Sequence, residues 1–67
     1  MFRKKEIVYF VGKEGTILVS LKRTKMIPRK GEIIILKPDD KKYSIVEIVY
    51  TLDKNYYICW IYLKENN

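Results

Sequence analysis

The 67-residue chain contains no histidine, a single cysteine, and neither alanine nor glutamine. Without histidine it lacks the usual general base at neutral pH and the commonest metal ligand in proteins. One cysteine can form neither an internal disulfide nor a thiolate zinc cage. We therefore expect a protein that is not an enzyme and that uses no cofactor or metal.

The chain also lacks a long hydrophobic run. The first apolar stretch, residues 7–11, is far shorter than the roughly 20 residues that a transmembrane helix needs. It does not have the form of a secretory signal, and a lone cysteine suits a reducing compartment. The sequence therefore predicts a cytoplasmic location, which is the host cytoplasm if the protein is viral.

What the chain has is positive charge and apolar residues. Its 14 Lys and Arg residues outnumber 8 Asp and Glu residues, for a formal net charge of +6, and 48% of its residues are hydrophobic. Such a composition is typical of a folded globular domain rather than a disordered chain. Because a chain of this length has room for only one core, residues 1–67 are predicted to form a single small β domain.

Secondary structure is predicted from five runs rich in β-branched and aromatic residues, separated by turn residues, with no helical periodicity. The runs are residues 5–11, 16–21, 32–37, 43–51 and 56–64. Residues 64–67 are predicted to form a frayed tail. The pattern predicts an all-β fold, a small five-stranded antiparallel barrel or strongly bent meander of the SH3-like or OB-like kind, since closure removes sheet edges. The alternative is an open sheet that dimerises.

Four-residue hairpin turns would pair Val11 with Thr16 and Thr51 with Tyr56. These registers define a predicted core face, comprising Val8, Phe10, Ile17, Val19 and Leu21 from the first hairpin and Val46, Ile48, Tyr50, Tyr57, Cys59, Ile61 and Leu63 from the last. Cys59 is thus predicted to be a small buried hydrophobe. The third run holds four consecutive aliphatic residues, which predicts a central strand covered on both faces.

Basic residues are concentrated between positions 22 and 30. Five of those nine residues are cationic: Lys22, Arg23, Lys25, Arg29 and Lys30. The first hairpin register also places Lys5 opposite Lys22, and Lys4 opposite Arg23. Like charges in direct opposition destabilise a sheet by about 0.2–1 kcal/mol per pair, a cost that an anionic partner such as phosphate would remove. A frayed terminus and a merely solvated loop are the other interpretation.

Aromatic residues alternate along the fifth run. Tyr56, Trp60 and Tyr62 therefore point to one face, with Tyr43 nearby on the partner strand. Such a face can stack bases at about 1–3 kcal/mol per base. The same face carries three aliphatic residues, Ile45, Val49 and Ile58. These favour two other interpretations: a face covered by a loop, the first hairpin or a second subunit, or a protein-binding hot spot.

Two segments resemble small β-barrel proteins of phages and mobile elements. Residues 27–36 read Ile-Pro-Arg-Lys-Gly-Glu-Ile-Ile-Ile-Leu, similar to a Pro-x-x-Gly-acid turn that opens an apolar strand. Residues 43–50 read Tyr-Ser-Ile-Val-Glu-Ile-Val-Tyr, similar to a Tyr-x-Val-x-x-Val strand. The resemblance implies a short accessory protein. Proteins of that type include nucleic-acid binders, virion or replication accessories, and inhibitors of bacterial defence systems such as CRISPR effectors.

The leading hypothesis is a non-enzymatic binding module that contacts nucleic acid through a basic loop and an aromatic strand face. Its predicted contact residues are Lys4, Lys5, Lys22, Arg23, Lys25, Arg29, Lys30, Tyr56, Trp60 and Tyr62. The first alternative is a phage or virus accessory, or an anti-CRISPR-like inhibitor, that binds an acidic or nucleic-acid-binding host protein. The second alternative is a structural homodimer that uses the aromatic face as its interface.

Overall fold

The computed structural model describes residues 5–22, 27–37 and 40–66. These residues form five strands: β1 (Lys5–Val11), β2 (Ile17–Lys22), β3 (Ile33–Leu36), β4 (Lys41–Leu52) and β5 (Tyr56–Glu65). The strands make one sheet in the order β2-β1-β5-β4-β3, curled into a half-barrel. The all-β prediction is confirmed, and each predicted run corresponds to one strand.

One strand pair differs from the predicted antiparallel arrangement. β1 and β5 run parallel, with Ile7 beside Ile58, Tyr9 beside Trp60 and Val11 beside Tyr62. Parallel neighbours need a long crossover connection, and the chain from β2 through β3 and β4 supplies it. The predicted small barrel or bent meander is confirmed, and only its wholly antiparallel pairing is wrong, because five strands that alternate in direction leave the first and the last pointing the same way.

The core lies on the inner face of the curled sheet. Its buried members are Val8, Phe10, Tyr43, Ile45, Cys59, Ile61 and Leu63. Cys59 and Ile61 at the centre of β5 have no exposed surface. Complete burial of an aliphatic side chain such as Ile61 stabilises the fold by about 1.5–3 kcal/mol. The predicted burial of Val8, Phe10 and Cys59 is confirmed.

The first hairpin has a different register from the predicted one. Phe10 pairs with Val19, and Val11 pairs with Ile17 rather than Thr16, with a bulge between the two pairs. The turn is a 3₁₀ turn at Lys13–Gly15, closed by a 2.7 Å hydrogen bond from the Gly12 amide to the Thr16 carbonyl. Beyond the bulge the register differs by two residues. An even shift preserves side-chain faces, so Val19 still faces the core.

The last hairpin also differs from its predicted register, and β4 contains a bulge. Thr51 pairs with Ile58 instead of Tyr56, and the ladder skips Val46 between the pairs made by Ile45 and Glu47. An extra residue reverses the alternation of side chains along a strand. As a result Tyr43 and Ile45 are buried in the core, whereas Val46, predicted to be a core residue, is 42% exposed.

Other predicted core positions are also solvent-accessible. Ile17, Leu21 and Tyr50 are 48%, 40% and 53% exposed. The first bulge pairs Ile17 with Val11, which lies on the opposite face from the core residue Phe10. Leu21 lies on the edge strand β2, and Tyr50 lies near the end of β4. Their predicted burial is therefore wrong.

β3 is an edge strand, not the central strand that its apolar sequence predicted. Only β4 pairs with it, and its outer residues Ile33 and Ile35 are 57% and 52% exposed. Ile34 and Leu36, which alternate with them, pack against the core. A run of four aliphatic residues does not distinguish a strand covered on both faces from an edge strand with one face open.

The predicted frayed tail is also wrong for most of its length. β5 continues through Lys64 to Glu65, and the Asn66 amide donates a 2.8 Å hydrogen bond to the Lys42 carbonyl. Backbone pairing with β4 orders these residues without any apolar side chain to bury. Asn67 lies outside the described residues.

Candidate nucleic-acid interface

The outer face of the sheet is the candidate site, built by alternate residues of β1, β5 and β4. In one row across the strands Tyr9 lies beside Trp60, and Trp60 lies beside Val49. In the next row Val11 lies beside Tyr62, and Tyr62 lies beside Glu47. Tyr9, Trp60 and Tyr62 are partly accessible, whereas Val11 is 3% exposed, so the face is only partly open to solvent.

The three aromatic residues predicted from the fifth run share this outer face. Tyr56, at the start of β5, is 37% exposed, and Trp60 and Tyr62 follow it at alternate positions. Tyr43 was predicted to lie near them, but the bulge at Val46 places it in the core on the opposite face. The aromatic surface therefore extends across β5 and β1 rather than β5 and β4.

Tyr9 is the residue that the sequence interpretation missed. Its ring centroid lies 5.0 Å from that of Trp60, with a tilt of 33° between the ring planes. Pairs at this separation contribute about 0.5–1.5 kcal/mol beyond their buried area. The alternating pattern of β1 places Tyr9 on one of its two faces, but only the parallel pairing of β1 with β5 brings it to Trp60.

A hydrogen bond holds the Trp60 indole in one orientation. Its Nε1 donates to Thr51 Oγ1 at 2.9 Å. Thr51 lies on the neighbouring strand β4, where it pairs with Ile58, and Ile58 is two residues before Trp60 on the same face of β5. The hydrogen bond therefore directs the indole ring along the surface of the sheet, toward Thr51. Together the Tyr9 contact and the Thr51 bond fix a ring that is still partly open to solvent, an arrangement that suits stacking with an incoming planar group.

One predicted cation lies close to this aromatic surface. Lys22, the last residue of β2, is exposed and faces Ile7, which lies one row from Tyr9. The predicted opposition of Lys5 and Lys22 is wrong, because Lys22 pairs with Ile7, two residues farther along β1 than Lys5. On its β5 side Lys5 pairs with Tyr56. Three other predicted contact residues, Lys4, Arg23 and Lys25, lie outside the described residues.

Arg29 and Lys30 occupy a different part of the fold. They lie in the turn before β3, where the Glu32 carboxylate accepts a hydrogen bond from the Arg29 amide. Three strands separate β3 from β2 in the sheet. Within the sheet these two cations therefore belong to the edge opposite Lys22, and an acidic residue shares their turn.

A second group of lysines, not predicted as a site, lies at the other end of the strands. Its members are Lys13, Lys37, Lys41, Lys42 and Lys64. Lys37 makes an exposed ion pair with Asp40. Lys13 and Lys64 line a cavity of about 520 Å³ whose apolar wall includes Leu18 and Leu63. The short spacing of Lys37, Lys41 and Lys42 in the sequence could have indicated part of this group. Lys13 and Lys64 join it only through the pairing of the strands in the sheet.

Cys59 is not placed to act as a nucleophile. Burial raises the pKa of its thiol, and a hydrogen bond with Tyr50 only partly opposes that shift. The thiol is therefore neutral at physiological pH, whereas a reactive cysteine needs the thiolate. Among residues 5–22, 27–37 and 40–66, no three His, Cys, Asp or Glu side chains are grouped so that they could hold a metal ion.

The same described residues include no helix long and apolar enough to cross a membrane. No family model, curated protein or solved structure matches the chain. The fold and the outer face are therefore the observations on which a functional proposal must rest.

Proposed function

We propose that this protein is a non-enzymatic binding module that holds single-stranded nucleic acid on the outer face of its sheet. The observation that carries the proposal is the set of outer-face aromatic residues on two adjacent strands, with Lys22 close by: Tyr9, Tyr56, Trp60 and Tyr62, of which Tyr56 is 37% exposed and the others partly exposed. Neighbouring aromatic side chains that remain partly exposed form the kind of apolar patch that often marks an interaction site.

The arrangement suits unpaired bases better than a duplex. Trp60 and Tyr62 are alternate residues of one strand, so their positions are about 6.6–6.8 Å apart along β5. Bases reach aromatic side chains only when they are splayed out of a helix, and each such stack contributes about 1–3 kcal/mol whatever the base. We therefore expect a preference for single strands with little dependence on sequence.

The charge of the chain supports the same partner. Lys22 lies beside the aromatic surface, and the formal net charge of +6 favours association with a polyanion. Phosphate contacts by lysine and arginine release counterions, so affinity falls as salt rises. Stacking and phosphate contacts then make separable contributions, one from the aromatic rings and one from the cations.

The test uses Trp60 as its own reporter, because it is the only tryptophan in the chain. Its fluorescence is titrated with an unlabelled oligothymidine and with a duplex of equal length, each at two salt concentrations. We expect quenching by the single strand at lower concentrations than by the duplex, and an affinity that decreases at the higher salt. No quenching at low salt would contradict the proposal.

Matched variants separate the contributions. Tyr56→Ala on the outer face should weaken single-strand binding by about 5- to 150-fold, the equivalent of one stack. Tyr50→Ala, at an exposed tyrosine of the inner face, should leave affinity unchanged. Lys22→Gln should reduce the salt dependence, whereas Lys41→Gln, at an exposed lysine on the inner face of β4, should not. Equal effects of Tyr56→Ala and Tyr50→Ala would remove the outer face from the site.

The accessory or inhibitor alternative predicts a different result. A host protein that is retained by the purified chain after nuclease treatment, and released by substitution of Tyr56, would identify the outer face as a protein-binding surface. Combined with a lack of quenching by oligonucleotides, that result would replace the nucleic-acid proposal.

A further inference from the structure

We propose that the edge strand β3 pairs antiparallel with β3 of a second copy of this chain, joining two half-barrel sheets into one. β3 pairs with β4 on one side only, contains no charged residue, and exposes Ile33 and Ile35 by 57% and 52%. Within the described residues, no segment pairs with its other side. Edge strands of this kind are the ones that native proteins usually protect with charge, proline or a bulge.

The backbone of β3 has a free hydrogen-bonding edge. The Ile45 amide donates to the Glu32 carbonyl at 3.0 Å, and the Lys42 carbonyl, on the same strand as Ile45, accepts from Asn66 on the β5 side. Alternate residues of an antiparallel strand bond to opposite neighbours. The residues of β3 that bond to β4 are therefore Ile34 and Leu36, and Ile33 and Ile35 direct their amide and carbonyl groups away from the sheet.

This free edge is complementary to itself. An antiparallel pair that places Ile33 beside Ile35 of the second copy, with Ile34 on the two-fold axis, forms four hydrogen bonds from the free groups of the two strands. The exposed side chains of Ile33 and Ile35 then meet their counterparts on the outer face, so four isoleucines form one apolar cluster. A two-fold axis of this kind gives a closed dimer rather than a fibre.

Charge also favours β3 over the other edge strand. On the outer face Ile35 lies beside Lys42 and Ile33 lies beside Ser44. In the proposed register two isoleucines separate Lys42 of one copy from Ser44 of the other, so no lysines oppose each other. β2, by contrast, carries a lysine within the strand, Lys22, and charged residues on an edge strand discourage pairing with another chain.

The dimer has a consequence for the outer face. The two-fold axis is perpendicular to the sheet, because Ile33 and Ile35 of both copies lie on the same face. Both Trp60 surfaces therefore face the same side of a ten-stranded sheet. One nucleic-acid strand that contacts both surfaces would gain affinity through effective concentration. The dimer itself does not depend on nucleic-acid binding, and its tests use the protein alone.

The first test measures mass against concentration by sedimentation without nucleic acid. We expect the mass to rise from 8.1 kDa to twice that value. Ile35→Lys should keep the protein monomeric, because it places a charge in the cluster. Ile17→Lys, at a 48% exposed residue of the other edge strand, should leave the dimer intact. Circular dichroism confirms that both variants are folded. A monomer at every concentration, or equal dissociation by both substitutions, would overturn the proposal.

The second test checks the register through disulfide formation. Residues in a hydrogen-bonded antiparallel pair have Cα atoms about 5.5 Å apart, within the range that a disulfide spans. Ile33→Cys protein mixed with Ile35→Cys protein should therefore form a mixed disulfide under mild oxidation. Each variant alone should form little disulfide, because the new cysteines of the two copies are then offset along the paired strands. Native Cys59 is buried and should not compete. Efficient cross-linking of either variant alone, or none in the mixture, would overturn this register.

Discussion

The two faces of β5 are both apolar, but the fold treats them differently. On the inner face Cys59 and Ile61 have no exposed surface, whereas Trp60 and Tyr62, which alternate with them on the outer face, remain partly accessible. The sheet curls toward the inner face, so strands on either side enclose those residues. Curvature, not composition, therefore decides which apolar face becomes the core.

No second layer covers the described outer face, and local contacts order its side chains instead. The Tyr9 ring packs on Trp60, and the indole nitrogen bonds to Thr51. These contacts order the aromatic side chains without removing them from water. In a domain too small to bury all its apolar residues, a face of this kind is available for a partner at little cost to stability.

Truncation of one isoleucine on each face is the strongest test of this comparison. Ile61→Ala, at a fully buried residue, should lower the free energy of unfolding by about 2–5 kcal/mol, because it leaves a cavity in the core. Ile58→Ala, on the outer face of the same strand, should cost about 1 kcal/mol, a typical value for a point substitution. Urea unfolding measures both. Equal losses would mean that the outer face is as well covered in solution as the inner one.

A double-mutant cycle measures the contact that orders the outer face. Tyr9→Leu and Trp60→Leu, singly and together, should give a coupling energy of about 0.5–1.5 kcal/mol in thermal or urea unfolding. Tyr9 and Tyr56 are four residues apart along the parallel ladder, so the matched cycle with Tyr56→Leu should be additive. Coupling of the same size in both cycles would show that the Tyr9–Trp60 stack is not a specific contact.

The smallest effect is expected at high pH and concerns the inner face. Burial raises the pKa of the Cys59 thiol above its ordinary value of 9.0. Above that pH the unfolded chain loses a proton that the folded chain keeps, so the free energy of unfolding falls as pH rises toward the folded-state pKa. Cys59→Ala removes this contribution. The slope of stability against pH, measured above about pH 9, should be shallower in Cys59→Ala; identical slopes would show that the thiol is not desolvated.

Strand positions were predictable because they depend on local chemistry. β-branched and aromatic residues between turn residues located all five strands, and β1 has the bounds that were predicted. Cys59 and Trp60 are consecutive in β5, so their side chains lie on opposite faces. The burial of Cys59 was predictable once its face of the strand was identified as the core face. The grouping of Tyr56, Trp60 and Tyr62 on one face has the same origin, since alternate residues of any strand share a face.

The registers were not predictable, because each depends on one residue of backbone geometry. In the first turn Glu14 and Gly15 adopt φ values of 61° and 76° in a 3₁₀ turn rather than a simple four-residue turn. At Val46 a single bulged residue moves Tyr43 and Ile45 from the predicted outer face into the core. Neither feature has a clear signal in the sequence, although both change which residues are exposed to solvent.

The amino-acid sequence alone determined an all-β protein of short strands, an excess of positive charge, and an alternating aromatic stripe on the last strand. Only the tertiary structure decided that β1 lies parallel to β5, which brings Tyr9 to Trp60, and that the apolar β3 lies at an edge. The physical reason is the range of the interactions. Propensity and alternation act between near neighbours in the chain, whereas strand order and curvature arise from pairing between residues that are distant in sequence.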